Sequence, residues 1–307
     1  MESIHHPRLS RIIAEERSNL PLGIVFPCDA TSMSAAQQVT DIGLARIVLI
    51  GPKDRINAVA KKENVDISAM EIIDTPDNPT AAAKMATQCV KAGKIAVLMK
   101  GALQTEELLT VVVSKTDGLR TVRRISHVFL CDLPGYHKLI ALADCVVNQA
   151  PDLAQKEQIL YDAIMHLHRL GITKPKVAIV ATVEVVNPQV VATTDAAGLV
   201  KMAKEGRFPS AIIEGPFGFD NAISKECARI KNITSDVSGD PDLLLMPNLE
   251  AANILYKSLV HMAGATCAGT ITGASVPIVL TSRADSVFSR IASVAIAVRV
   301  AKNSQAH

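Results

Sequence analysis

The stretch that decides the fold is "VLMKGALQTEELL", residues 97–109. It opens with three apolar side chains in a row, which a strand buried on both faces needs and a half-exposed strand does not. Lys100 and Gly101 close the run, and "QTEELL" then starts a helical pattern with Thr105 as candidate N-cap and acidic residues in the first turn. A two-sided apolar strand passing through a glycine into a helix is the repeating unit of an α/β protein with a parallel sheet.

Outward from there the unit recurs. "LGIVFP" (22–27), "ARIVLIG" (45–51), "HVFLCDLP" (127–134), "VAIVA" (177–181), "SAIIEG" (210–215), "DLLLMP" (242–247) and "VPIVLTS" (276–282) read as further buried strands. Helical patterns fall between them at 32–43, 53–62, 79–92, 105–114, 152–170, 195–205, 249–264 and 286–302. Pro79 is placed to begin one helix, Asp152 to cap another, and Gly171 to stop it. The predicted class is α/β, with mostly parallel sheets covered on both sides. At 307 residues the chain is long enough for two domains. The segment "ALADCVVNQAPD" (141–152) is the candidate boundary, giving a first domain of 1–142 plus 271–307 and a second of 143–270. The last helical pattern is apolar on more than one side, as a helix that returns to pack on the first domain would be.

Composition narrows the function. Hydrophobic residues are 49% and charged residues 20%, which suits a folded globular chain. Lys plus Arg (32) nearly balances Asp plus Glu (30), for a net charge of +2, so nothing points to nucleic acid. Aromatic residues are only 3% and Trp is absent, which argues against base-stacking platforms. No run approaches the roughly 20 apolar residues of a membrane span, and the polar N-terminus does not read as a signal peptide. The six cysteines form no CxxC pair and read as reduced thiols of a cytoplasmic protein.

Four places carry candidate chemistry. Lys100 and Gly101 can hold an anion, glycine letting backbone approach and lysine supplying charge, or they are a plain turn with a solvated lysine. In "GLRTVRRISHVF" (118–129), Arg120, Arg123 and Arg124 can steer a phosphorylated or coenzyme A-bearing substrate, or are simply a solvated loop. Ser126 and His127 open the strand there, His127 being either a satisfied structural histidine or a catalytic one. In "IIEGPFGFDNAIS" (212–224) a Gly/Pro loop presents Asp220 and Asn221, with Asp220 either capping a helix or touching substrate. The fourth is "VPIVLTSRADS" (276–286), which lifts Ser282, Arg283 and Asp285 onto a strand end, where ligands bind in parallel sheets. Arginine's planar fork matches phosphate oxygens and serine can donate to them. The alternative is a helix cap with a surface ion pair.

Taken together in this order, "PCDATSMSAA", "MKGALQTEEL", "RRISHVFLCDLP", "ADCVVNQAPDL", "GPFGFDNAIS", "DLLLMPNLEAANILYKSL" and "VPIVLTSRADS" resemble the phosphate acetyl/butyryltransferase family, and its butyryltransferase branch in particular. The resemblance implies two α/β/α domains with an interdomain cleft, related in structure to isocitrate and isopropylmalate dehydrogenases. It implies reversible transfer of a short acyl group, acetyl or butyryl, between coenzyme A and inorganic phosphate. It also implies a homodimer, no metal, and no bound cofactor, coenzyme A being a substrate. The family's serine–arginine pair matches Ser282 and Arg283. Two positions depart from the acetyltransferase pattern: Ser289 stands where an aspartate base is proposed, and Leu109 where an arginine is found. Asp285 is the nearest substitute carboxylate. The candidate catalytic set is therefore Ser282, Arg283 and Asp285. The candidate substrate-binding set is Lys100, Gly101, Ser126, His127, Asp220 and Asn221. Two rival readings remain: a coenzyme A or acyl phosphate binding protein without turnover, and an NAD-linked dehydrogenase of the same architecture, which would need clustered carboxylates for a metal.

Overall fold

The computed structural model describes residues 6–280 and 285–304. In chain order the elements are α1 (Pro7–Glu15), β1 (Pro21–Val25), α2 (Ala30–Asp41), β2 (Arg46–Gly51), α3 (Lys53–Lys62), β3 (Glu71–Asp74), α4 (Pro79–Lys91), β4 (Val97–Lys100) and α5 (Thr105–Val112). There follow β5 (Ser126–Asp132), β6 (Ile140–Ala143), α6 (Leu153–Arg169), β7 (Lys176–Val180), α7 (Val191–Lys204), β8 (Ile212–Phe217), α8 (Phe219–Ile223) and α9 (Lys225–Ile230). The chain ends with β9 (Leu243–Leu245), α10 (Leu249–Met262), β10 (Thr266–Thr272), β11 (Ile278–Val279) and α11 (Val287–Ser304). Two compact units result, one holding residues up to Ile125 together with those from Ala268 onward, the other Ser126–Cys267.

In the first unit the strands run in the order β3-β2-β1-β4-β11-β10. β1 pairs parallel with β2 and with β4, and β11 is parallel to β4 with Ile278 opposite Leu98. Every residue of β4 is buried, as its continuous apolar run requires. α11 is buried from Ser289 through Val298 and packs on α1, α2, β4 and β11. Its far end is held by Arg299 and Lys302, which both pair with Glu16 at the end of α1.

In the second unit the order is β5-β6-β9-β7-β8. β6, β9, β7 and β8 are parallel, but β5 is antiparallel to β6, with Val128 opposite Ala143. The reason is the link: residues 133–139 are too few for a crossover, which needs about a dozen, so the chain turns back as a hairpin. β10 and β11 pair antiparallel for the same reason. Helix starts follow the predicted chemistry. Asp152 caps α6 by accepting from the Gln155 amide at 2.8 Å while Gln155 returns a bond to the Asp152 amide. Asn78 caps α4 ahead of Pro79, and Gly171 ends the α6 segment at φ +95°. Among the described residues no helix is long and apolar enough to cross a membrane.

Candidate active site

The parallel strands of the first unit bring the first and last candidate motifs to one edge. β1 and β4 are in register with Val25 opposite Lys100, so both chains leave the sheet at the same level. β11 runs parallel to β4, so Ile278 and Val279 head toward that same edge. Ser282 and Arg283 lie outside the described residues. Asp285 reappears just ahead of α11.

Gly101 is fixed by contact. Its amide donates to the Val25 carbonyl at 2.9 Å, and the next amide, Ala102, donates to the Phe26 carbonyl at 2.8 Å. A Cβ at position 101 would sit 2.5 Å from the first oxygen and 2.6 Å from the second. Phe26 itself adopts φ +55°, turning the chain sharply after β1 toward α2. Lys100 is buried, and its Nζ donates to the Leu103 and Gly101 carbonyls at 3.0 and 3.3 Å, tying the strand-to-helix loop. The helix after it starts at Thr105 with Gln104 in the cap position, a correction to Thr105 as the cap. Glu107 accepts from the Gln104 amide at 2.7 Å.

Three groups at this edge had no signal in the residue-by-residue reading. Asp29 caps α2 by accepting from Ser32 at 2.6 Å, and the buried Ser32 hydroxyl has no hydrogen-bond partner among the described residues. Arg290, in the first turns of α11, is buried. Burial lowers its pKa, and the charges of Asp29 and Asp285 act against that loss. Asp285 thus shares its surroundings with a guanidinium held inside the protein. Ser289, the residue before Arg290, is buried, and its amide donates to Ser286 Oγ at 3.2 Å.

In the second unit the antiparallel β5 changes where its candidates lie. Ser126 and His127 are the first residues of β5, and the hairpin register places that start at the carboxyl ends of β6 and β9. Both are fully buried. His127 packs edge-on against Phe129, which stacks on Tyr256 at 4.0 Å between ring centres. Neither ring nitrogen has a hydrogen-bond partner among the described residues. Burial, with His166 nearby, pushes its pKa down to about 3, so the ring is neutral at physiological pH. Asp144 follows β6 and accepts from the amides of Val146 and Val147 and from both nitrogens of Asn148. Burial nonetheless raises its pKa.

Asp220 and Asn221 lie in α8, at the carboxyl end of β8. Gly218 occupies the cap position, so Asp220 is not the cap; it pairs with Lys231 at 3.0 Å, which lowers its pKa. Lys231 also reaches Glu184 at 3.2 Å, and Asn221 Nδ2 donates to the same Glu184 oxygen at 3.1 Å. The Asn221 side chain is buried, and its Oδ1 is left without a partner among the described residues. Buried acceptors of this kind cost stability unless something donates to them. Of the arginines before β5, Arg120 forms an isolated bridge with Ala274 in the first unit.

An α/β chain with polar and charged groups gathered at strand carboxyl ends is the arrangement of an enzyme that handles an anionic substrate. Residues 77–298 match the family Phosphate acetyl/butaryl transferase. The chain is 43% identical to a phosphate acetyltransferase of Rhizobium meliloti, over 94% of this chain and 92% of that one. It is 39% identical to a phosphate butyryltransferase of Clostridium beijerinckii, over 95% and 96%. Its fold superposes on a branched-chain phosphotransacylase from Enterococcus faecalis V583 with TM-score 0.80 at 27% identity, covering 92% and 99% of the two chains. The chain belongs to the phosphate acetyl/butyryltransferase family and is an acyltransferase.

Proposed function

We propose that this chain catalyses acyl-CoA plus phosphate to acyl phosphate plus coenzyme A, reversibly, on short acyl groups. The observation that supports it most is the register of β1, β4 and β11, which brings the carboxyl ends of the strands before Gly101 and before Leu280 to the same edge of one sheet.

The reaction needs no covalent enzyme intermediate. A phosphate oxygen attacks the thioester carbonyl carbon, the carbonyl oxygen gathers negative charge, and the C–S bond breaks to expel coenzyme A thiolate, which then takes a proton. In reverse the thiolate attacks the acyl phosphate and phosphate leaves. Arg283 is assigned to the phosphate and the developing oxyanion, with Ser282 donating a hydrogen bond alongside it. Asp285 is assigned to the proton that the thiol gains or loses, since a free thiol near pKa ~8.5 is only slightly ionised at neutral pH. Lys100 and Gly101 in the first unit, and Ser126, His127, Asp220 and Asn221 in the second, are assigned to substrate binding. A neutral His127 fits a hydrogen-bonding role better than an acid–base one. Orientation of two substrates can lower the barrier by roughly 7–11 kcal/mol. The chemistry requires no metal and no bound cofactor. A homodimer in the cytoplasm is the proposed working form.

Apolar pockets discriminate methylenes weakly, about 10–200-fold each. The identities to an acetyl- and a butyryltransferase are nearly equal, so use of several short acyl groups is expected. The experiment is kcat/KM for acetyl-, propionyl-, butyryl- and isobutyryl-CoA with phosphate. Butyryl- or propionyl-CoA should match or exceed acetyl-CoA. Strong preference for acetyl-CoA with butyryl-CoA inert would overturn the branch assignment, and folded protein inert on all four would favour a binding protein.

A further inference from the structure

Cys131, near the end of β5, and Cys267, at the start of β10, lie 136 residues apart in sequence, and their sulfurs are 2.6 Å apart. The two thiols are in direct contact on neighbouring strands, within reach of a covalent bond of roughly 2.05 Å. Neither sulfur is in a disulfide. Both belong to the core of the second unit, with Cys145 in the same apolar cluster. The other three cysteines, Cys28, Cys89 and Cys227, are outside that cluster.

We propose that Cys131 and Cys267 form a dithiol oxidation site, converted to an intramolecular disulfide by hydrogen peroxide, a small uncharged oxidant. The step balances as follows. One thiol loses its proton, the thiolate attacks a peroxide oxygen, the O–O bond breaks and hydroxide leaves, giving a sulfenic acid. The second sulfur then attacks the sulfenic sulfur, the S–O bond breaks, and water leaves as the disulfide forms. Two thiols and one peroxide become one disulfide and two waters. Burial excludes bulky oxidants and also excludes a second protein molecule, so the bond forms within one chain. It also raises the Cys131 thiol well above its ordinary pKa, helped by Cys267, Cys145 and Asp132, so the first step is slow while the core stays closed.

The test treats the intact folded chain with hydrogen peroxide, then alkylates remaining thiols under denaturing conditions and maps peptides by mass. The expected result is a loss of two hydrogens, two of the six thiols protected, and a linked peptide joining Cys131 to Cys267 that dithiothreitol reverses. Cys131→Ala and Cys267→Ala should each abolish the link, and Cys145→Ala should keep it. Six alkylatable thiols after peroxide, Cys131 recovered as sulfinic acid, or a link through Cys145 would each overturn the proposal. Mapping on the unaltered chain decides the matter even where a variant fails to fold.

Discussion

Replacing Gly101 with alanine puts the geometry of the candidate edge under direct load. The added methyl would lie 2.5 Å from the Val25 carbonyl oxygen and 2.6 Å from that of Phe26, both backbone atoms that no side-chain rotation can move. The loop after β4 must lift away from β1. Lifting it breaks the bonds from Gly101 to Val25 and from Ala102 to Phe26. Two backbone hydrogen bonds are worth about 1 kcal/mol each, and over-packing adds about 1–3 kcal/mol. Gly101→Ala should therefore destabilise the protein by about 3–5 kcal/mol. The urea midpoint followed by circular dichroism should fall in proportion, by that loss divided by the slope of stability against urea. Gly135, whose Cβ would meet nothing within 4 Å, is the control: Gly135→Ala should stay within about 0.5 kcal/mol of the parent. A Gly101→Ala midpoint equal to the parent's would refute the reasoning, because the close approach would then not be what requires glycine there.

Other outcomes follow from single observations. Lys156 and Asp195 form a largely buried ion pair at 2.7 Å. Lys156→Ala leaves a carboxylate buried alone and should cost about 3–5 kcal/mol, while Lys156→Met with Asp195→Leu should recover most of that in the same urea titration. His127 and His166 are each held by burial at a pKa of about 3. The unfolded chain protonates them below about 6.5, so between those values the unfolded state binds more protons and stability falls as pH falls. The loss at pH 5 should be about 2 kcal/mol for each, and His127→Gln should remove one share of that slope. Arg283→Ala should lower turnover by two or more orders of magnitude, at least about 2.7 kcal/mol, with folding unchanged by circular dichroism. Asp285→Asn should lower the rate and remove the acidic limb of the pH–rate profile; an unchanged profile returns Asp285 to an ion-pairing role.

The alternation of strands and helices was legible because two-sided apolar runs have few other uses. Direction was not: β5 reads the same whether parallel or antiparallel, and only the short 133–139 link decides it. β3 and β10, "EIID" and "TCAGTIT", escaped notice because charged or small residues hide a strand that pairing alone sustains. Lys100, Gly101 and Asp285 were singled out by their positions at strand ends. Arg290 was hidden inside an apolar helix, where a lone arginine reads as a solvent-facing residue. Asp220 resembled a cap for a helix starting near Ala222, but the helix starts at Phe219 and Lys231 holds the carboxylate. The Cys131–Cys267 contact had no local signal at all, since 136 residues separate the two and only the fold brings them together.

The central claim is phosphate-dependent acyl transfer, and stoichiometry tests it most directly. Purified chain incubated with butyryl-CoA and inorganic phosphate should release coenzyme A thiol and form butyryl phosphate in equal amounts, and neither should appear when phosphate is left out. Thiol released without phosphate would mark a hydrolase, and no thiol with phosphate present, from folded protein tested across the acyl series, would contradict the account.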